Sequence, residues 1–339
     1  MKSSLSSFMY NPELTLGARN AIHTCLRVRR EERVILITDR SCQEIAAALL
    51  HEIESVGADY QAWILEDLAS RPLQEMPAIL MEDLARSNVS IYAVQAQPDE
   101  LKTRMQLTEV VNRKHIRHAH MVNINQQIMM EGMRADFLKV DAISMKVLDL
   151  AQTAQTIRAA TQAGTNLTAT FNPSYRWIKT SGIISPEKWG NLPGGEIFTT
   201  PGEVNGTFVI DGVVGDYLCG KYGNLQDFPL TVRVVKNRLT EAHSSNRRLE
   251  NDFWQYTHTD ENSDRVGEFA IGTNIEVRRV IGHILQDEKI PGVHIAFGNP
   301  YGAHTGAEWN STTHIDVVGT KFDIWVDDQQ IMRLGDFLI

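Results

Sequence analysis

Cysteine is scarce in this chain. Its three residues, Cys25, Cys42 and Cys219, are too scattered for a disulfide framework and lack the C-x-x-C pairing of a thiolate zinc site. Cys25 and Cys42 fall in expected helices and read as packed thiols. Long apolar runs are missing too: no stretch reaches the roughly 18 uninterrupted apolar residues of a membrane span, and the N-terminal MKSSLSSFMYNPEL has no apolar segment of signal-peptide length. These absences point to a cytoplasmic protein with no membrane partner, in which the Asn166-Leu167-Thr168 sequon carries no meaning. Basic charge is not in excess either. With 33 Lys and Arg against 42 Asp and Glu, the net charge of -9 gives no electrostatic footprint for nucleic acid.

What is present is 339 residues, long for one core and suited to two domains. The first, residues 1–155, alternates helical and strand patterns as a wound α/β domain does. Residues 13–28 read as a helix, 33–38 (RVILIT) as a buried strand, and 41–55 as a helix that Ser41 could cap. Residues 59–65 and 89–94 read as the next strands, with 73–86 helical between them. The turn after the first strand, Asp39-Arg40-Ser41-Cys42, contains no glycine, so backbone amides cannot closely approach a pyrophosphate there. A dinucleotide role is set aside on that ground.

His115-Ile116-Arg117-His118-Ala119-His120 is tempting as a metal cluster, since His118 and His120 share one face if extended. No carboxylate or cysteine nearby completes a ligand set, and the run leads into an expected strand at 121–124. A structural or domain-interface role is the reading, with substrate contact as the alternative. Residues 126–150 carry helical spacing, with Met129, Met130, Met133, Phe137 and Leu138 as the apolar members of a core face.

From residue 156 to 339 the character changes to short strands and glycine turns, an α+β pattern. Residues 156–162 and 166–171 flank Ala163-Gly164-Thr165 as a hairpin, and residues 321–326 and 330–334 form another around Asp327-Asp328. The stretch PGVHIAFGNPYGAHTGAEWNSTTHIDVVGTK, residues 291–321, places three histidines, a tyrosine and an aspartate between β-prone runs. It reads as a metal site. In an extended strand, residues two apart project from one face, so His314 and Asp316 point together while Ile315 and Val317 face the core. Glu196 begins a strand after the Gly194-Gly195 turn and taken alone reads as a solvated carboxylate. Glu268 sits beside Phe269 and Ile271, where a buried carboxylate needs a charged or hydrogen-bonding partner, and a divalent cation is an effective one. His294 stands in an apolar strand and could equally be a satisfied core histidine. His304 and Glu308 occupy a glycine-rich loop, where substrate binding or acid–base work competes with simple solvent exposure.

The succession LPGGEIFTTP, GEFAIGTN, HIAFGNPY and HIDVV resembles the thermophilic aminopeptidase T family of metallopeptidases, the M29 type. The resemblance implies an N-terminal α/β domain followed by an α+β metal-binding domain. It also implies two divalent ions held by two glutamates, a histidine and a His-x-Asp pair beside an active-site tyrosine. Those positions fall on Glu196, Glu268, His294, His314, Asp316 and Tyr301. The implied activity is that of a leucyl aminopeptidase-like hydrolase, in which a two-metal-activated water cleaves N-terminal amino acids from small peptides or related amides. Glu268 and Tyr301 would take the catalytic parts, and Zn, Co or Mn all suit such an oxygen and nitrogen set. A homodimer is implied as well. The chain is also similar to the iron-dependent dioxygenases of that fold, which open 2,5-dihydroxypyridine. That alternative implies one Fe(II) on a two-histidine, one-carboxylate triad made of His314, Asp316 and either His294 or His304.

Overall fold

The computed structural model describes residues 4–97 and 99–339, so Met1–Ser3 and Pro98 lie outside the described residues. The chain divides into two compact units, Met1–Leu138 with Gly182–Gly194, and Lys139–Ser181 with Gly195–Ile339.

The first unit is built on a parallel sheet of β1 (Arg33–Thr38), β2 (Asp59–Ile64), β3 (Val89–Val94) and β4 (Arg117–Val122), in the order β2-β1-β3-β4, extended by the short strand Gly190–Asn191. The unbroken apolar run of β1 is what a strand covered on both faces requires. Helix α1 (Gln43–Val56) follows β1 and stops at Gly57, whose left-handed φ of 76° suits glycine. Its entry turn is capped by Asp39 Oδ1, which accepts from the Cys42 amide at 2.9 Å, and not by Ser41.

Other expected boundaries shift for identifiable reasons. The helix expected over 13–28 is divided into a 3-10 turn (Pro12–Leu14), an α-helical turn (Thr15–Arg19) and a π-turn (Asn20–Cys25). The helix expected over 126–150 breaks after Gln126–Met130 and resumes as Phe137–Ala151. The Asn20 amide donates to the carbonyls of both Met133 and Ala135 at 2.9 Å, rewarding an open backbone there. The helix expected over 73–86 is only Ala78–Ala85, because Pro77 sets its start. Strand β4 begins at Arg117, earlier than expected. That guanidinium is accommodated by the Leu26 carbonyl at 2.8 Å and by Glu32 at 2.9 and 2.6 Å. Helix α2 (Leu101–Lys114) ends at His115 in the left-handed region, φ 53°, which separates His115 from the other two histidines.

The crevice where strand order reverses, between β1 and β3, is filled. Arg71 donates to Asp39 at 2.8 Å, to the Gln95 carbonyl at 2.7 Å and to Glu100 at 2.9 Å. An acidic turn locked by a guanidinium replaces the phosphate-binding loop found at this place in nucleotide-binding sheets.

The second unit contains an eight-stranded antiparallel sheet and a five-stranded one. The larger includes both hairpins read from the sequence, as Thr156–Ala160 with Asn166–Thr170, and Asp323–Val326 with Gln329–Arg333. The smaller comprises β5 (Ile178–Thr180), β6 (Glu196–Thr199), β7 (Val266–Gly272), β8 (Gly292–Gly298) and β9 (His314–Val318), in the order β9-β8-β7-β6-β5. Alternate residues of this sheet, among them Ile197, Phe269, Ile271, Ile295, Phe297 and Ile315, share one core with Ile157, Leu167 and Phe208 of the larger sheet. Each such burial contributes about 1.5–3 kcal/mol, and together they hold a sheet whose other face carries charge.

Candidate metal centre

The register of the small sheet decides which side chains meet. Gly272 pairs with Glu196, Ala270 with His294, Glu268 with Ala296, Ala296 with Asp316, and Gly298 with His314. Partners in an antiparallel pair project from the same face, so Glu196, Glu268, His294, His314 and Asp316 stand on the face opposite the core. Alanines and glycines fill the positions between them and leave that face open. One irregularity is essential. Val266 belongs to the core, and by simple alternation Glu268 would join it. The ladder instead shifts between these two residues, and the extra residue, Gly267, turns Glu268 to the polar face. Only glycine fits there, because a Cβ would stand 2.4 Å from the Gly298 carbonyl oxygen.

Ligand atoms of Glu268, His294 and Asp316 all lie within 4.8 Å of one another. His294 Nε2 is 3.5 Å from Glu268 Oε1 and 3.6 Å from Glu196 Oε2, and it is buried without a hydrogen-bond partner. His314 Nε2 is 3.4 Å from Asp316 Oδ1 and 3.9 Å from Glu268 Oε2. Ligand atoms about 2.1 Å from a tetrahedral ion stand about 3.4 Å apart, and the 3.4–3.6 Å separations here are compatible with that spacing. His314 is also oriented for the task. Its Nδ1 donates to the Asn299 carbonyl at 2.9 Å, fixing the tautomer that leaves Nε2 as a ligand. The residues present fit a divalent cation.

The electrostatics agree. Burial works against charge on all these groups, yet Asp316 and Glu268 raise His314 to about 10 and His314 lowers Asp316 to about 2. Burial pushes Glu268 up, against the pull of both histidines. Ligands must be deprotonated to bind, so an ion would take the place of the His314 proton.

Tyr301 sits at the edge of this face, its ring centroid 4.3 Å from that of His314. Its backbone is left-handed, φ 49°, and its N–H donates a hydrogen bond to Asn299 Oδ1 at 2.9 Å. His304 and Glu308 are exposed and stand outside the close group; the His304 carbonyl accepts from Arg176 at 2.8 Å. Sequence reasoning missed Thr180, Glu288 and Lys289. Thr180 Oγ1 donates to Glu196 Oε1 at 2.8 Å, and Lys289 Nζ reaches the same oxygen at 2.7 Å and Glu288 at 2.5 Å. Burial pushes Glu288 up to about 8, and Lys289 opposes that shift. The Asp-Glu-Lys run before β8 was the available signal, and in sequence it looks like an exposed loop.

The histidines of β4 take no part in this centre. His118 Nδ1 is 2.7 Å from Ser90 Oγ, its Nε2 is 3.1 Å from His120 Nδ1, and His120 stacks on Tyr92. Both histidines are buried. The three cysteines are buried and unpaired, and burial raises the Cys42 and Cys219 thiols to about 12. Among the described residues no helix is long and apolar enough to cross a membrane.

The sequence profile of the thermophilic metalloproteases (M29) matches residues 140–330, more than half of the chain and all of the centre just described. The chain belongs to the M29 family. At that level it is a metallopeptidase, a hydrolase whose family uses divalent metals. Two solved structures extend the likeness of this M29 member to its whole length. The 2,5-dihydroxypyridine dioxygenase from Pseudomonas putida KT2440 superposes with a TM-score of 0.70 at 14% identity, covering 98% of each chain. Wild-type AmpT from Thermus thermophilus does so with a TM-score of 0.67 at 16% identity, covering 96% of this chain and 99% of AmpT. These identities speak for the fold alone, which is the aminopeptidase T-like fold expected from the sequence. No curated protein matches the chain.

Proposed function

We propose that this M29 member is a metal-dependent aminopeptidase that removes N-terminal residues from small peptides or related amides. The observation that carries the reading is the charged face of the small sheet, where Glu268, His294 and Asp316 converge within 4.8 Å with His314 and Glu196 beside them. Glu268, His294, His314 and Asp316, with Glu196 at their edge, would hold Zn, Co or Mn, and a bound divalent ion supplies Lewis acidity and lowers the pKa of water toward neutrality. The chain's own residues do the rest. The excess of carboxylates favours a substrate with a free α-ammonium group and disfavours acidic ones. Glu268, between the two histidines, would take the proton of the attacking water. The Tyr301 hydroxyl donates to the oxygen on which negative charge develops.

The test is hydrolysis of aminoacyl p-nitroanilides and dipeptides by protein loaded with Zn, Co or Mn. Glu268→Gln should collapse activity, and Tyr301→Phe should lower kcat by about a hundredfold or more with little change in KM. Full activity in Glu268→Gln would overturn the ligand assignment. A second reading, ring cleavage at one Fe(II), is supported by the likeness to the 2,5-dihydroxypyridine dioxygenase over 98% of both chains and by the set His294, His314 and Asp316, a two-histidine, one-carboxylate triad. Oxygen uptake with a dihydroxypyridine, and no peptide hydrolysis, would select it.

A further inference from the structure

The M29 reading leaves one buried charge without a task. Lys289 is 1% exposed, among the most enclosed charged side chains of the molecule, and it lies against the metal centre. Its backbone is pinned on both sides: the amide donates to the Gln286 carbonyl at 2.9 Å, and the carbonyl accepts from Asn274 at 3.0 Å. The ammonium is gripped by Glu196 Oε1 at 2.7 Å and Glu288 Oε1 at 2.5 Å. A buried ammonium with two carboxylates is retained only where the pairing outweighs its desolvation.

The consequence falls on Glu196. Its Oε1 is occupied by Lys289 and, at 2.8 Å, by Thr180. Only Oε2 is left toward the histidines, and Glu196 is not a member of the close ligand group of Glu268, His294 and Asp316. A second ion against Glu196 would meet a positive charge already held at that carboxylate. Charge balance runs the same way. Glu196, Glu268, Glu288 and Asp316 carry four negative charges when ionised. Lys289 and one divalent ion leave one of them, which an incoming α-ammonium group would neutralise.

We propose that Lys289 is a built-in cation that takes the place of a second metal ion, so that this chain works with one divalent ion, held by Glu268, His294, His314 and Asp316. Glu196 is then a positioning residue, held by Lys289 at the edge of the centre. This rests on the M29 hydrolase reading for its chemistry, but its measurement does not.

The test is metal stoichiometry. Apo-protein is titrated with Mn(II) and Co(II), followed by calorimetry, elemental analysis and the electron paramagnetic resonance of the Mn-loaded form. The wild-type protein should bind one equivalent, with no exchange coupling between ions. Lys289→Met frees Glu196 and Glu288 and should raise the count to two, a change that loss of a purely structural ion pair would not produce. If that variant does not fold, ligand substitutions in the wild-type background decide. Glu196→Gln should weaken metal binding less than about tenfold and Asp316→Asn more than about a hundredfold. Two equivalents in the wild-type protein, or equal losses in those two variants, would overturn the role of Lys289. One equivalent of iron with oxygen uptake would leave that role standing and overturn the hydrolase instead. No bound ion at all would overturn both.

Discussion

The histidine pair of β4 makes acid stability a sharp test of the first unit. His118 and His120 are linked ring to ring, His118 Nε2 to His120 Nδ1 at 3.1 Å, and His118 is further bonded to Ser90. A shared N–H fits between neutral rings, whereas protonating both would set one N–H against another. Burial, with a smaller contribution from the neighbouring ring, holds His118 well below its ordinary value; burial and then the Arg104 charge lower His120 to about 3. The sign follows from the unfolded chain, where both rings titrate near pH 6.5. Above that pH neither state takes up a proton, and the native state keeps its full stability. Below it the unfolded state gains protons that the native state refuses, so stability is lost as pH falls. At about pH 5 each ring costs about 2 kcal/mol and the pair about 4 kcal/mol, a large fraction of the 5–15 kcal/mol typical of a domain. Urea unfolding at a series of pH values, compared with a His118→Asn/His120→Phe variant, isolates the effect because all other groups titrate in both proteins. The wild-type stability should fall more steeply by about that amount between neutral pH and about pH 5. Parallel slopes, or imidazole resonances that titrate near pH 6.5 in the native protein, would refute the argument.

Three further outcomes follow from the second unit. Gly272→Ala would place a Cβ 2.0 Å from the Ile290 carbonyl oxygen; the resulting backbone shift should cost about 1–3 kcal/mol in denaturant unfolding, and an unchanged midpoint would count against the packing described. Zn or Mn at about a hundred times its dissociation constant should stabilise the protein by about 2.7 kcal/mol. Chelator should remove that gain, and its absence in thermal melts would mean that the charged face binds no ion. Because His314 is raised to about 10 by Asp316 and Glu268 despite burial, metal uptake near pH 8 should release about one proton, readable with an indicator dye in weak buffer; no release would contradict the His314–Asp316 pairing.

How much of this was legible in the sequence depended on whether a residue's role was local. His314 and Asp316 could be read together because alternation along β9 is a property of the strand alone, and it also sent Ile315 and Val317 to the core. The hairpin turns at 161–165 and at Asp327-Asp328 were visible for the same reason. The absence of glycine after β1 excluded a phosphate loop, but that Arg71 would fill the crevice was not visible, since its partners Asp39, Gln95 and Glu100 lie far from it in the chain. Helix breaks driven by a distant side chain, such as Asn20 bonding the Met133 and Ala135 carbonyls, were hidden in the same way.

Glu268 and Lys289 show where alternation itself fails. Counting by twos from Val266 puts Glu268 in the core. The bulge at Gly267 reverses this, and the sequence cue, a glycine inside an apolar strand, is common enough to pass unread. Lys289 follows Glu288 directly, and neighbours in sequence ordinarily point apart, so Asp-Glu-Lys reads as a solvated turn. What encloses the lysine is Glu196, which arrives beside it only because β6 pairs with β7 and β7 with β8. A buried cation of this kind is a property of sheet order, and it changes the chemistry of a ligand set that the motifs alone had presented as complete.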